Sequence, residues 1–313
     1  MGKLKKTHYD PPWKTIAGKH FQLFMAFFFP AAHSEIDWSQ GFESKDSELQ
    51  KILPEQETEK RIVDKLIRVT LIGGRETWVY IHVEFQNQQV SGFSKRVYTS
   101  HYRISDYFNQ QVVSLAIIGD DSPAWRPNIY EEEKWDMSLR FKFPIVKLLD
   151  YNRNLEWLET HDNPFALVTM AHLKTLKIRK DPNALLHWKI HLVKSLLARD
   201  WGRNTIIDLL RFIEWLYQLP EELEIQYKQT ISSEGVQAME YLASFERDAL
   251  EKGREEGIEK GKLGVIAKLL KLKFGELPGW VEDKLNDAGE QQSERWTDRI
   301  LTAESFEEVF AEG

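Results

Sequence analysis

Cysteine is absent from the chain of 313 residues, and this absence excludes disulfide bonds, thiolate metal sites and a cysteine nucleophile. Long apolar runs are missing too. The most apolar stretch, residues 21–32, contains Gln22 and Pro30 and is shorter than the roughly 20 apolar residues that a membrane-spanning helix needs. Residues 1–12 lack the apolar core of a signal peptide. We therefore expect a cytoplasmic protein that does not contact a membrane.

An excess of basic residues is also missing. The chain has 42 Lys and Arg residues against 49 Asp and Glu residues, which gives a net charge of −7. It therefore lacks the overall positive field that is typical of non-specific nucleic-acid binding, although a local basic groove beside an acidic metal site is compatible with this total. The motifs of P-loop proteins, serine hydrolases and zinc proteases are absent as well.

Aromatic residues, by contrast, are abundant. The chain contains 11 Trp, 10 Tyr and 17 Phe residues, and 42% of all residues are hydrophobic. Side chains of this kind need a buried environment, which excludes disorder as the main state. The length is sufficient for one large domain or two smaller domains with cores of their own.

The first 150 residues predict an α/β domain. Residues 78–86 alternate between apolar and polar side chains, as in a strand with two different faces, and residues 111–118 form a continuous apolar run that is typical of a strand covered on both faces. The order α-β-β-α-β-β indicates a sheet with helices packed on it. The other predicted elements are a helix over 19–29 that Pro30 ends, a strand over 62–71, a turn at Gly73 and Gly74, a helix over 92–108, and an edge strand over 139–146 that contains Pro144.

Residues 151–244 predict an all-helical region, because the apolar residues recur with the period of a helix. The three predicted helices cover 163–178, 183–200 and 203–218, and the first begins with a capping Asn163 followed by Pro164.

Residues 245–313 predict a charged helical tail. Gly253, Gly257 and Gly261 recur every four residues, which favours either a helix that packs closely on a second helix or a charged linker. An amphipathic helix follows over Val265–Phe274, and short helices are expected near 280–288 and 304–311, the latter with a capping box formed by Ser305 and Glu308. We expect the tail to mediate homo-oligomerisation.

The two strands before and after Gly73 carry the residues with the clearest chemistry. An antiparallel hairpin at this turn would place Asp64 roughly opposite Glu84, with Gln86 on the same face as Glu84. Two carboxylates on neighbouring strands suit Mg²⁺, which prefers oxygen ligands. The alternative is that Glu84 is an ordinary carboxylate on the solvent face of a half-buried strand.

These residues lie within a longer resemblance to a known family. The segments that carry it are YDPPWK, FMAFFFP, EIDW, VDKLIRV, WVYIHVEFQNQ, KRVYTSHYRISDYF, VVSLAIIGDDSPAWRP, FPIVKLLDY, NPFALVTMAHLKT, LLRFIEWLYQLPEELE and the tail with its spaced glycines. Together they cover nearly the whole chain. In these segments the sequence resembles the Rpn (recombination-promoting nuclease) / YhgA-like transposase family, of the PD-(D/E)XK nuclease superfamily.

The resemblance implies a core of a mixed sheet with flanking helices, and an Asp on one strand followed by Glu-X-Lys on the next. Carried over, the Asp is Asp64, the Glu is Glu84 and the Lys position is Gln86, a departure that leaves this position without a positive charge. The implied activity is that of a metal-dependent DNA endonuclease, associated with recombination or mobile elements, in which Asp64 and Glu84 hold Mg²⁺ or Mn²⁺. The alternative is a non-catalytic DNA-binding or oligomerising scaffold derived from a nuclease fold.

Four further groups of residues are weaker candidates. Arg96 and Arg103, on the helix after the carboxylate pair, are expected to contact the DNA backbone. Tyr98 and Tyr102 either stack on DNA or pack on the sheet. Many members of the superfamily have an acidic ligand on the first helix, which Glu35 or Asp37 would have to replace here. His187 and His191 have the spacing of a zinc pair on a helix, but no third ligand accompanies them.

Overall fold

The computed structural model describes residues 10–53, 64–73, 78–232, 263–286, 290–300 and 302–310. By the contacts within it, the chain divides into two compact units, Met1–Ala238 and Met239–Gly313. Gly74 and the series Gly253, Gly257 and Gly261 lie outside the described residues. In the part of the chain that is described, no helix is both long and apolar enough to cross a bilayer.

A mixed sheet of five strands forms the centre of the first unit. Its order is β1-β2-β3-β4-β7, in which β1, β2 and β3 are antiparallel neighbours whereas β4 and β7 run parallel to β3. Two further strands, β5 and β6, form a separate hairpin. This confirms the predicted α/β class with a mixed sheet. The strands are β1 (Phe42–Ser44), β2 (Asp64–Thr70), β3 (Trp78–Gln86), β4 (Gln111–Ile118), β5 (Ile129–Lys134), β6 (Met137–Lys142) and β7 (Ile145–Lys147).

Ten helices are described in the first unit. Their bounds are α1 (Asp10–Lys19), α2 (Phe21–Phe28), α3 (Pro30–Glu35), α4 (Asp46–Ile52), α5 (Phe93–Phe108), α6 (Leu155–Thr160), α7 (Pro164–Ile178), α8 (Pro182–Leu197), α9 (Arg203–Leu216) and α10 (Glu221–Ser232). Short 3-10 helices cover Trp38–Gln40 and Leu148–Asn154. The predicted cap of α7 is confirmed, because the side chain of Asn163 accepts a hydrogen bond from the backbone N–H of Phe165.

The apolar face of β3 packs against the first helices of the chain. The ring of Phe85 lies 6.0 Å from that of Trp13 in α1 and 5.9 Å from that of Phe24 in α2. Phe24 in turn contacts Phe165 of α7 at 5.4 Å. The helical region therefore continues the same core rather than forming a separate one, because aromatic side chains from α1, α2 and α7 meet on this face of the sheet.

The opposite face of β3 is covered by α5. Tyr80 stacks on Phe108 at the end of that helix with the ring centroids 4.1 Å apart. Near the start of α5, Phe93 is buried together with Val97 and packs against Phe143. Both faces of the strand are thus inside the protein, which is why the polar residues of its alternating pattern become buried.

Two of the predicted elements are wrong in their extent. The strand predicted over 139–146 is two strands in different sheets, β6 and β7, because Pro144 between them has no N–H for a continuous ladder. The part after Pro144 does lie at a sheet edge, as predicted. The helix predicted over 19–29 begins only at Phe21, and Pro30 does not end helical structure but begins α3, where a proline in the first turn loses no hydrogen bond.

The second unit is a small helical cluster. Ile266 and Leu270 of α11 (residues 263–274) are buried in its core, which also contains Val281 of α12 (Gly279–Asn286), Trp296 of α13 (Glu290–Ile300) and Val309 of α14 (Phe306–Val309). The predicted amphipathic segment therefore buries one stripe within its own unit. The first half of the predicted capping box is confirmed, since Ser305 accepts from the N–H of Glu308, but the Glu308 side chain accepts from Glu304 instead of Ser305.

Candidate active site

Asp64 and Glu84 are direct partners in the antiparallel ladder between β2 and β3. The hairpin that the sequence predicts therefore has the register that the predicted site requires. The side chain of Asp64 lies outside the part of the chain that the structure describes. The convergence of the two carboxylates consequently stays a prediction, whereas the pairing of their backbones is observed.

Glu84 is completely buried, so it is not an ordinary carboxylate on a solvent-exposed face. Its strand lies in the middle of the sheet, and α5 covers the face that carries it. Burial of a carboxylate without a partner is costly, and the structure supplies a partner from α5.

Arg96 of α5 is the partner of Glu84. Its Nη2 donates to Oε2 of Glu84 at 3.1 Å, and its Nε donates weakly to Oε1 of the same carboxylate at 3.4 Å. The same Nη2 donates to Oε1 of Gln86 at 2.8 Å. The guanidinium group thus contacts both residues of the Glu-X-Gln motif.

The amide of Gln86 is held in one orientation. Its Nε2 donates to the backbone carbonyl of Gln88 at 2.7 Å, while its Oε1 accepts from Arg96. A carbonyl oxygen only accepts and a guanidinium only donates, so these two neighbours determine which way the amide faces. Gln86 is almost completely buried, and it shares the face of the strand with Glu84, as predicted.

A second polar group lies on the same face of the sheet. Ser114 of β4 is the ladder partner of His82, and its hydroxyl lies 3.3 Å from Nδ1 of His82 and 3.2 Å from Nδ1 of His101 on α5. Burial, together with the neighbouring His82, lowers the pKa of His101 below its usual value. The alternation over residues 78–86 puts His82 on the same face as Glu84 and Gln86, but the sequence indicates no role for His101 or Ser114, because only the packing of α5 on β4 brings them together.

The carboxyl end of β4 is polar and buried as well. His172 of α7 makes a 2.7 Å hydrogen bond through Nε2 to the carbonyl of Gly119, and its Nδ1 accepts from Nε1 of Trp13 at 3.3 Å. Burial lowers the pKa of His172 to about 4. Next to Gly119, the carboxylate of Asp120 pairs with Lys147, and both side chains are buried. These residues stabilise the end of the strand and were not identified as candidates from the sequence.

The remaining candidates are not part of the cluster formed by Glu84, Gln86 and Arg96. Arg103 lies seven residues further along α5 and is half-buried, about 10 Å from Arg96 along the helix axis. Tyr98 packs on Tyr130 and Phe141 of the two-stranded β5–β6 sheet, with ring centroids 5.1 Å and 5.5 Å away, whereas Tyr102 is exposed.

The proposed substitutes for an acidic ligand on the first helix have other surroundings. Glu35 is exposed, and Asp37 caps the 3-10 helix that follows it by accepting from the backbone and hydroxyl of Ser39. In the histidine pair, His187 is exposed, whereas His191 contacts Glu159 at 2.9 Å. Neither arrangement resembles a set of metal ligands.

The donor atoms at the Glu84 site fit a hard cation in type. A carboxylate and an amide carbonyl are both oxygen ligands of the kind that Mg²⁺ takes. Among the residues whose side chains are described, no group of three or more His, Asp or Glu residues is arranged to hold a metal ion. Asp64, the expected second ligand, is not one of those residues.

Comparison with known proteins adds no further constraint: the chain matches no protein-family model, no curated protein and no solved structure.

Proposed function

We propose that this protein is a metal-dependent DNA endonuclease that hydrolyses phosphodiester bonds and is associated with recombination or mobile elements. The observation that carries the proposal is the direct pairing of Asp64 with Glu84 on neighbouring strands of a mixed sheet. Partners in an antiparallel ladder share one face of the sheet. A PD-(D/E)XK-like core likewise has an Asp on one strand and a Glu on the next. In this chain, Gln86 takes the position two residues after the Glu.

In this proposal, Asp64 and Glu84 hold Mg²⁺ or Mn²⁺. A cation bound there supplies an activated water and neutralises charge on the phosphodiester. Gln86 carries no charge, so the role proposed for its oriented amide is to orient the attacking water or a phosphate. Arg103, two turns beyond Arg96 on α5, is proposed to contact the DNA backbone, with the protein acting in the cytoplasm.

The decisive experiment is a plasmid cleavage assay with purified protein in the presence of Mg²⁺ or Mn²⁺. We expect nicking or linearisation by the wild type, and a loss of at least about 100-fold in rate for Asp64→Asn. Asp136→Asn is the matched control, because Asp136 is an exposed aspartate in the turn of the β5–β6 hairpin. Absence of metal-dependent cleavage by the wild type, or equal cleavage by Asp64→Asn, would contradict the proposal.

A thermal melt provides an independent measurement of metal binding. A cation that binds only the folded protein raises the melting temperature. We expect Mg²⁺ or Mn²⁺ to stabilise the wild type but not Asp64→Asn. Two like charges held close repel each other, so Asp64→Asn should be as stable as the wild type, or slightly more stable, without metal. A melt of the wild type that does not respond to metal, together with a strongly destabilised Asp64→Asn, would instead make Asp64 a structural residue.

The second candidate function is a non-catalytic, DNA-binding scaffold that retains the nuclease fold. The observation that favours it is the hydrogen bonding of Arg96 to both Glu84 and Gln86, because this cluster satisfies the buried carboxylate without a metal. The two candidates differ in the same assay. A scaffold retards DNA in a gel and leaves it intact with either metal.

We also propose that the protein forms homo-oligomers through its tail. Val265, Leu269 and Leu272 of α11 are exposed and spaced four and three residues apart, so they form a second apolar stripe beside the one that is buried in the unit's own core. Val265→Glu combined with Leu272→Glu should lower the mass measured by light scattering. An unchanged mass would contradict this assignment.

A further inference from the structure

Arg96 differs from its two partners in where it comes from and in how exposed it is. Glu84 and Gln86 belong to β3, whereas Arg96 belongs to the first turns of α5. The Glu84 side chain has no exposed surface, and 20% of the Arg96 side chain is exposed. The positive charge of this cluster is therefore its accessible member.

The guanidinium group also packs over the ring of an aromatic side chain. Its central carbon lies 5.1 Å from the ring centroid of Phe93, one helical turn earlier. Phe93 is itself buried against Trp125 at 5.6 Å and Phe143 at 6.2 Å. The aromatic support and the hydrogen bonds to β3 hold the guanidinium in one place, so its position does not depend on a ligand.

The chemistry of a phosphodiester makes this position significant. Negative charge develops on the phosphate oxygens during hydrolysis, and a cation already in place stabilises it without reorganisation. Gln86 cannot provide such a charge, whereas a guanidinium remains protonated at any relevant pH and matches the geometry of phosphate oxygens.

We propose that Arg96 supplies the positive charge of this site: it neutralises the buried Glu84 in the free protein and contacts the scissile phosphate when DNA is bound. The inference depends on the endonuclease function proposed above. It makes Arg96 a catalytic residue and relates its role to the absence of a cation at position 86.

The contact between Arg96 and Gln86 gives this proposal a specific consequence. Because the two side chains lie 2.8 Å apart at Nη2 and Oε1, a cation placed at position 86 reaches the same carboxylate. Gln86→Lys should therefore replace the function of Arg96 in part. A purely packing role of Arg96 would not be replaced in this way, because a lysine at position 86 does not fill the space on α5.

The experiment compares the wild type with Arg96→Met, Gln86→Lys and the double variant, in full-length protein, by thermal melts without metal and by plasmid cleavage with Mg²⁺. Arg96→Met leaves Glu84 without this partner, and we expect its melting temperature to fall by about 6 °C or more and its cleavage rate by about 100-fold. In the double variant, at least half of the fall in melting temperature caused by Arg96→Met should be reversed. Its cleavage rate should be at least about 10-fold higher than that of Arg96→Met. Arg96→Lys keeps the positive charge but loses the planar set of N–H donors of the guanidinium group. Its melting temperature and cleavage rate should therefore lie between those of the wild type and Arg96→Met.

Lys95→Met is the matched control, because Lys95 is the exposed neighbour of Arg96 on the same helix. It should melt and cleave like the wild type. A double variant no better than Arg96→Met in either measurement would overturn the inference. Recovery of the melt without recovery of cleavage would overturn the phosphate contact and leave Arg96 as a counter-ion of Glu84.

Failure of the endonuclease proposal gives a different result. If the wild type does not cleave DNA with either metal, that proposal fails, and with it the contact of Arg96 with a scissile phosphate. The melts then still decide whether Arg96 is the charge partner of Glu84.

Discussion

Two of the buried clusters of charges that the structure describes in the first unit are built in opposite ways. In the sheet cluster, formed by Glu84, Gln86 and Arg96, the acid has no exposed surface and the cation is 20% exposed. In the helix cluster, formed by Lys189, Glu214, Glu224 and Tyr227, the lysine side chain is 1% exposed and the two glutamates are 15% and 29% exposed. The buried member is therefore an acid in one cluster and a cation in the other.

The helix cluster joins α8, α9 and α10. Nζ of Lys189 lies 2.6 Å from Glu214 and 3.0 Å from Glu224, and 4.1 Å from the ring centroid of Tyr227. The hydroxyl of Tyr227 donates to Glu214 at 2.7 Å. Burial raises the pKa of Tyr227, which keeps that proton in place. The lysine's three donors find acceptors within the protein, as expected for a structural cluster.

The difference between the clusters indicates in which of them a bound ligand or cation can replace one of the charged partners. A buried lysine enclosed by helices and satisfied by two acids offers no position for a ligand. A buried acid whose cation reaches the surface can accept a different cation without exposing itself to water. The same contrast predicts that stability depends on which member of a cluster is left behind after a substitution, since an unpaired buried charge is the costly species.

The largest effect is expected when Lys189 loses both acids. In Glu214→Gln combined with Glu224→Gln, the buried ammonium group retains only neutral acceptors, and we expect a loss of about 3–5 kcal/mol in the free energy of unfolding. Urea denaturation followed by tryptophan fluorescence measures it. The control is Glu221→Gln combined with Glu222→Gln, which changes two exposed glutamates at the start of α10. If the control variant lost as much stability as Glu214→Gln combined with Glu224→Gln, the two acids would not be the partners that stabilise the buried Lys189.

A buried group that is kept neutral rather than paired should give the next largest effect. Because the pKa of His172 is lowered to about 4 in the folded protein from its ordinary 6.5, the unfolded chain binds the additional proton between these values. The stability that this group contributes is complete above pH 6.5 and is lost as the pH falls towards 4, by about 3 kcal/mol in total. Burial of the imidazole is the cause of the lowered pKa, and a protonated Nδ1 would in addition face the N–H of Trp13.

The measurement is the free energy of unfolding as a function of pH, with His172→Gln as the variant. We expect its slope between pH 4 and 6.5 to be smaller than that of the wild type. His187→Gln, which changes an exposed histidine of α8, is the matched control and should keep the slope of the wild type. A variant at position 172 with an unchanged slope would show that this histidine does not titrate as the structure indicates.

Removal of the cation from the helix cluster should have a smaller effect than removal of its acids. In Lys189→Met, the two glutamates that remain are partly exposed and can be hydrated. We therefore expect a loss of about 1–2 kcal/mol, measured by the same urea denaturation. A loss larger than that of the variant without the two acids would reverse the comparison.

The smallest effect on stability is expected for Glu84→Gln. The amide still accepts hydrogen bonds from Arg96, and the guanidinium, being 20% exposed, can reach water. A loss of about 1 kcal/mol is expected, while any cleavage activity should be abolished. The pair of measurements separates stability from function at this residue. A loss of stability comparable to that of Arg96→Met would show that the cluster is mainly structural.

Local patterns predicted much of the fold around the site. The bounds of β3 and β4 agree with the strands predicted over 78–86 and 111–118, and α5 begins one residue after its predicted start at 92. The register that pairs Asp64 with Glu84 also agrees with the prediction, because the length of the two strands on either side of the turn determines it. These features depend on residues close in sequence, whose periodicity is visible without the rest of the molecule.

Features that depend on distant residues could not be predicted in the same way. The hairpin of β5 and β6 was not predicted, because residues 129–136 have no clear apolar face of their own. The hairpin packs on α5, where Tyr130 contacts Tyr98, and these two residues are far apart in the sequence. The helix cluster joins positions 189, 214, 224 and 227 across three helices, and no spacing in the sequence relates them.

The sequence by itself determined that this protein has an α/β core, that two acids are paired on neighbouring strands and that a neutral glutamine follows the second acid, since strand periodicity and turn position are local properties. Only the tertiary structure decided that Glu84 is buried rather than exposed and that Arg96 provides its positive charge. The physical reason is that burial depends on what covers a face. An alternating strand shows which residues share a face, but only the packing of α5 onto β3 placed that face inside the protein and brought a guanidinium group to it.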